Sequence, residues 1–174
     1  MSTFLKNTVA TRDHILGNKT ALLELVEYGD YQCSSCGESY LAVKEVLREL
    51  GKNIVFIFRN FPLTEIHPNA FDAALAAEAA ALQNKFWEMY NLLFQNQAYL
   101  GDEDLFSYAR TIGLDMDRFG QDIQSQELTS KIEADMAGGI QNGVNGTPSF
   151  FINGEKFDGD WEDGRLIRYL KALL

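Results

Sequence analysis

The sequence predicts an α/β fold built from a βαβ unit and a ββα unit, with an all-helical insertion between them. Three patterns carry that reading. The first half runs strand, helix, strand: Ala21-Leu22-Leu23-Glu24-Leu25-Val26-Glu27-Tyr28 is apolar except for its two acids, Tyr40, Val43, Leu47 and Leu50 recur at helical spacing before Gly51, and Ile54-Val55-Phe56-Ile57-Phe58 is unbroken apolar sequence. A continuous apolar run marks a strand covered on both faces, so the two strands read as a parallel pair. Near the C-terminus, Ser149-Phe150-Phe151-Ile152 and Glu155-Lys156-Phe157 flank Asn153-Gly154, the turn dipeptide of a tight hairpin. Between them, residues 70–142 show helical periodicity and no strand pattern.

Each helix of the insertion has its own signal. Phe71, Leu75, Ala79 and Leu82 form one stripe, and Phe86, Met89, Tyr90 and Leu93 a second after a break near Asn84. Asp102 is a candidate N-cap for a third helix carrying Leu105, Tyr108 and Ile112, and Gly113 stops it. Asp115 caps a short turn holding Met116 and Phe119, and Leu128, Ile132, Met136 and Ile140 form the last stripe before Gly143. A helix from Glu162 to Leu173 closes the chain, with Leu166, Leu170 and Leu173 facing inward.

With 174 residues, 46% of them hydrophobic, the chain can bury a core without covalent staples. It reads as one domain over 1–174, with the insertion at 63–146. A net charge of −10 with no Lys or Arg run argues against nucleic-acid binding, which needs clustered cations. The segment Met1–Thr8 lacks the apolar core of a signal peptide, and no stretch is long enough to span a membrane. The expectation is a soluble cytoplasmic protein with no membrane partner, or a periplasmic one if a leader has been removed.

Chemistry concentrates at Cys33-Ser34-Ser35-Cys36, which holds the only two cysteines. It lies where the first strand hands over to a helix. Two thiols at a helix N-terminus can close a disulfide and reopen it, and the thiolate is favoured there. A loop this small stabilises little as a structural bridge. A zinc site needs four ligands, and the only histidines, His14 and His67, are remote in sequence. Glu27, six residues before Cys33, is an acid in an apolar strand. If buried, its pKa rises and it can exchange a proton with Cys36; the alternative is an acid that reaches solvent, as expected for Glu24.

The Cys-x-x-Cys after a strand, together with Gly146-Thr147-Pro148 before a hairpin, resembles the thioredoxin superfamily, and the helical insertion resembles its DsbA family. The stretches Asp13–Gly17, Glu27–Cys33, Arg59–Leu63, Lys85–Trp87 and Gly146–Gly154 carry the likeness over almost the whole chain. It implies a thioredoxin-like fold and a thiol–disulfide oxidoreductase acting on protein substrates. It also implies that Cys33 attacks, Cys36 resolves, and Glu27 is the buried carboxylate. By the same resemblance the Thr147–Pro148 bond is cis and Thr147 and Pro148 position the substrate. No cofactor or metal is implied, and another redox protein must recycle the pair.

Other residues are less committed. Tyr31 and Tyr28 are candidates to line a substrate groove, whereas Tyr40, Phe86, Trp87 and Tyr90 read as core. Ser34-Ser35 supplies no cation and Asp30 adds negative charge, which together predict a pair less oxidising than the strongest oxidants, at about −120 mV, and nearer the reductase end. Two rivals stand beside this reading. One is a non-catalytic binding or regulatory module, including domains appended to membrane transporters, against which the absence of a membrane segment counts. The other is a glutathione-type small-molecule oxidoreductase similar to kappa-class glutathione transferases, which use serine at the nucleophile position.

Overall fold

The protein is described here by a computed structural model covering residues 12–174, so the reading of Met1–Thr8 lies outside the described residues. A five-stranded sheet runs in the order β1-β3-β2-β4-β5. Its centre is the parallel pair β2 (Leu23–Gly29) and β3 (Ile54–Asn60), in register from Leu23 opposite Ile54 to Gly29 opposite Asn60. Helix α1 (Ser34–Leu50) makes the crossover between them. Strand β4 (Ser149–Ile152) pairs antiparallel with β2 and, through Asn153-Gly154, with β5 (Glu155–Phe157). Both turn residues have positive φ, 49° and 82°, as that hairpin turn requires.

The opposite edge is β1 (His14–Gly17), antiparallel to β3. No strand signal is legible there, because four residues, two of them exposed, are too few for an alternating pattern. Between β3 and β4 lie α2 (Ala70–Ala81), α3 (Phe86–Gln95), α4 (Asp102–Thr111), α5 (Met116–Asp122) and α6 (Gln126–Gln141). The closing helix, α7, spans Arg165–Ala172 and starts later than its apolar pattern suggests, because Asp163 and Gly164 turn through positive φ.

Two local expectations change. The N-cap of α4 is Gly101, not Asp102; its N–H donates to Asp104 Oδ2 at 3.1 Å. Ile140 is 63% exposed although it continues the α6 stripe. The helix instead approaches the sheet through Gly139, where a Cβ would lie 2.8 Å from the Phe61 ring and 3.0 Å from the Tyr28 ring. Backbone contact at that point leaves the next residue facing out.

The helical layer is tied to the sheet in two ways. An aromatic cluster joins Tyr31 and Phe58 to Tyr90 and Phe94 of α3, with ring centroids 4.9–6.1 Å apart. A buried charge network adds direction. Glu78 of α2 accepts from Asn60 Nδ2 at 2.6 Å, lies 2.9 Å from His14 Nε2 and pairs with Lys131 of α6 at 3.0 Å. Lys131 also pairs with Asp135 at 2.7 Å, and Asp135 accepts the Asn60 N–H. Removing one member of a buried pair strands the other charge. Lys131→Met is therefore expected to lower unfolding free energy in urea by about 3 kcal/mol; an unchanged midpoint and slope would show that the network carries no net weight.

Candidate active site

Strand β2 delivers the site. Its last residues, Tyr28 and Gly29, are followed by Asp30, Tyr31 and Gln32, and Cys33 is the N-cap of α1 with extended dihedrals, φ −72° and ψ 123°. Cys36 lies in the first turn. Both are free thiols; Cys33 is 8% exposed and Cys36 is fully buried. The first turn of α1 contains no acid, so the positive end of the helix is not offset locally. The Thr147–Pro148 peptide is cis, and the Thr147 carbonyl lies 3.5 Å from Cys33 Sγ.

These surroundings separate the two sulfurs. Cys33 falls from an ordinary 9.0 to about 5, chiefly because the Cys36 thiol hydrogen-bonds to it, with further help from Thr147 and the Cys36 N–H and against the cost of burial. The Thr147 hydroxyl is buried without another partner, which leaves it available to the sulfur. Cys36 moves the opposite way: burial pushes its thiol well up, and donating to Cys33 and facing Glu27 reinforce the shift. From about pH 5 upward through neutrality, Cys33 is the thiolate and Cys36 holds its proton.

Glu27 is fully buried, not solvent-directed. Burial raises its carboxyl from 4.5 to about 8, partly offset by a hydrogen bond from Ser39. Ser39 Oγ is 2.7 Å from Glu27 Oε1 and 3.0 Å from the Cys36 carbonyl, so it links the acid to the Cys36 turn. Glu27 Oε2 is buried with no hydrogen-bond partner. Ser39 belongs to no motif; its one sequence signal is a polar residue on the buried face of α1 between Cys36 and Tyr40, where a polar residue is unusual.

One expectation is corrected here. Tyr31 does not line a substrate groove: it is 1% exposed and packs among Phe58, Tyr90 and Phe94, because the chain turns inward between β2 and α1. Tyr28 is equally buried, and its hydroxyl accepts from Arg59. His67, remote in sequence from the cysteines, is brought by the fold to Asp30 beside them. Its Nδ1 is 2.8 Å from Asp30 Oδ2, and Asp30 also accepts the N–H groups of Gln32 and Leu63. The Asp30 N–H in turn points at Cys36 Sγ, 3.5 Å away. Asp30 still opposes the Cys33 thiolate, but as the smallest of the causes acting on it. Among the described residues, no group of three His, Cys, Asp or Glu side chains is arranged to hold a metal ion.

A family profile described as Thioredoxin matches residues 9–172. The chain belongs to the thioredoxin family. Within the family its fold is DsbA-like: a thiol-disulfide exchange protein, α-DsbA2 from Wolbachia pipientis, superposes with TM-score 0.81 over 94% of this chain and 88% of that one, at 23% identity. A thioredoxin-like oxidoreductase from Silicibacter pomeroyi DSS-3 is 26% identical, with TM-score 0.78 over 94% and 93% of the two chains. A curated relative, the Na(+)/H(+) antiporter NhaA 1 of Mycobacterium sp. (strain KMS), is 42% identical over 163 residues. That match covers 92% of this chain but 27% of the antiporter, so the thioredoxin-family chain spans about a quarter of the curated relative's length. No helix among the described residues is long and apolar enough to cross a membrane. The DsbA-like fold sets the two free thiols, Cys33 and Cys36, at the start of one helix, an arrangement that supports a redox role for the pair.

Proposed function

We propose that the chain is a protein thiol–disulfide oxidoreductase. The observation that carries this reading is the Cys33 sulfur at the α1 N-cap, held 3.5 Å from the Thr147 carbonyl beside a buried, protonated partner thiol. The Cys33 thiolate attacks one sulfur of a substrate disulfide; a mixed disulfide forms and the other substrate sulfur leaves as a thiolate. Cys36 then gives its proton to the ionised fraction of Glu27, which grows as pH approaches about 8, and attacks Cys33 Sγ, closing the Cys33–Cys36 disulfide and releasing the second substrate thiolate. The substrate gains two electrons and the pair loses them; the same steps run in reverse when the pair starts oxidised. A thiol or disulfide of another redox protein restores the starting state, and no cofactor enters. Thr147 and Pro148 supply the backbone edge against which an extended substrate lies.

The test is turbidity of insulin reduced by dithiothreitol, with the parent and Cys33→Ser. Acceleration by the parent and none by the variant is expected. A parent that is inert with insulin but reduces glutathione disulfide would favour the small-molecule rival, and one inert with both would favour the binding module. The 42% identity to a stretch of an antiporter supports a second reading, in which this redox domain works beside a membrane transporter. Recovery of the native protein in washed membranes, with its pair reactive to added thiols, is the result that reading expects.

A further inference from the structure

We infer that Gln97 is a positioning residue of the dithiol site, by which the helical insertion holds the peptide of the attacking cysteine. The inference rests on the reading of Cys33 as the attacking thiolate. Gln97 lies in the connection between α3 and α4, more than sixty residues from the motif by sequence. Its Nε2 donates to the Tyr31 carbonyl and to the Cys33 carbonyl, both at 2.8 Å. One carboxamide therefore spans the turn that carries the nucleophile.

The seat for that carboxamide is Gly37. A Cβ on Gly37 would overlap Gln97 Oε1 and stand 2.8 Å from Gln97 Cδ. Gly37 is inside α1, where glycine weakens a helix relative to alanine. Its φ is not left-handed, so backbone conformation does not demand it; the space taken by Gln97 does. The Gly37 N–H also donates to the Cys33 carbonyl at 3.1 Å. That oxygen thus receives the first bond of α1 from one side and the insertion's amide from the other.

The consequence is chemical as well as mechanical. The two donors fix the Cys33 peptide, so its sulfur stays between Cys36 and Thr147 through attack and resolution. The positive end of the Gln97 amide also faces the peptide that bears the thiolate. Loss of the hydrogen bond to the Cys33 carbonyl alone corresponds to a change of about three- to tenfold.

The test uses two readouts on the whole protein: the rate of exchange with a small aromatic disulfide, and the pH midpoint of Cys33 alkylation by iodoacetamide. Gln97→Ala is expected to slow exchange by about three- to tenfold and to move the alkylation midpoint upward. Gln97→Glu keeps the size but presents a carboxylate to two carbonyls, and the midpoint should rise further. Gly37→Ala should reproduce the Gln97→Ala losses in the parent. In the Gln97→Ala background it should cost nothing more in rate and should raise helix stability, since the clash is gone. Multiplying losses in the double variant, or an unmoved midpoint in Gln97→Ala and Gln97→Glu proteins that fold, overturns the inference. If the parent exchanges no disulfide at all, the functional reading fails, and the alkylation midpoint still decides the role of Gln97.

Discussion

Replacing Glu27 by Gln stabilises the reduced protein at pH 9 relative to pH 4. The carboxyl is fully buried, accepts one hydrogen bond, and is raised from 4.5 to about 8 by burial. Between those values the folded protein holds a proton that the unfolded chain releases, so stability falls as pH rises through the window. The cost is absent below 4.5 and complete above about 8. At about 1.4 kcal/mol per pH unit, it reaches at most about 5 kcal/mol. The amide carries its own penalty, since one of its polar atoms occupies the place of the unpartnered Oε2, but that penalty is the same at both pH values. The readout is therefore the difference between urea unfolding energies of the two proteins at pH 4 and pH 9. Equal differences at the two would mean that Glu27 does not titrate in this range. The same substitution removes the acceptor for the Cys36 proton, so resolution of a mixed disulfide should slow near neutrality; an unchanged rate would remove Glu27 from the mechanism.

Alkylation of the reduced protein should label Cys33 with a midpoint near pH 5 and leave Cys36 untouched well above pH 9. At pH 6 a sulfur ionising at about 5 is nearly all thiolate, about a thousandfold more than an ordinary thiol. Lower basicity costs it roughly sixtyfold in intrinsic nucleophilicity. The ionisation effect wins, and Cys33 should react about tenfold faster than an ordinary thiol at that pH. Its depressed value adds stability to the reduced form that is present above 9 and is lost as pH falls through about 5, opposite in sign to Glu27. Labelling that rises only above pH 8 would contradict the site as described. Thiolate stabilisation also favours the reduced pair, which raises the potential. The expectation from Ser34-Ser35, nearer the reductase end, is thereby drawn upward, to between about −270 and −120 mV. Equilibration with glutathione measures it.

Much of this architecture is legible in local sequence because its signals are local. The β2 and β3 runs are apolar on both faces, Asn153-Gly154 has the turn chemistry of its hairpin, and the break at Asn84 appears as a left-handed residue, φ 59°. Where the reading failed, a neighbour from elsewhere in the chain decided. Ile140 faces out because Gly139 meets Tyr28 and Phe61, and Tyr31 faces in because α3 supplies the rings around it.

Short motifs alone mark the cysteine pair, the helix that starts beside it, the acid in the preceding strand and the Thr147-Pro148 loop. How those groups are tuned is legible only in the packing around them. A pKa depends on burial and on partners a few ångströms away, and here some come from elsewhere in the chain, Ser39 on Glu27 and Thr147 on Cys33, while Gln97 reaches across the Cys33 peptide from the insertion. Spacing along a chain fixes which atoms can react; packing fixes where their protons rest.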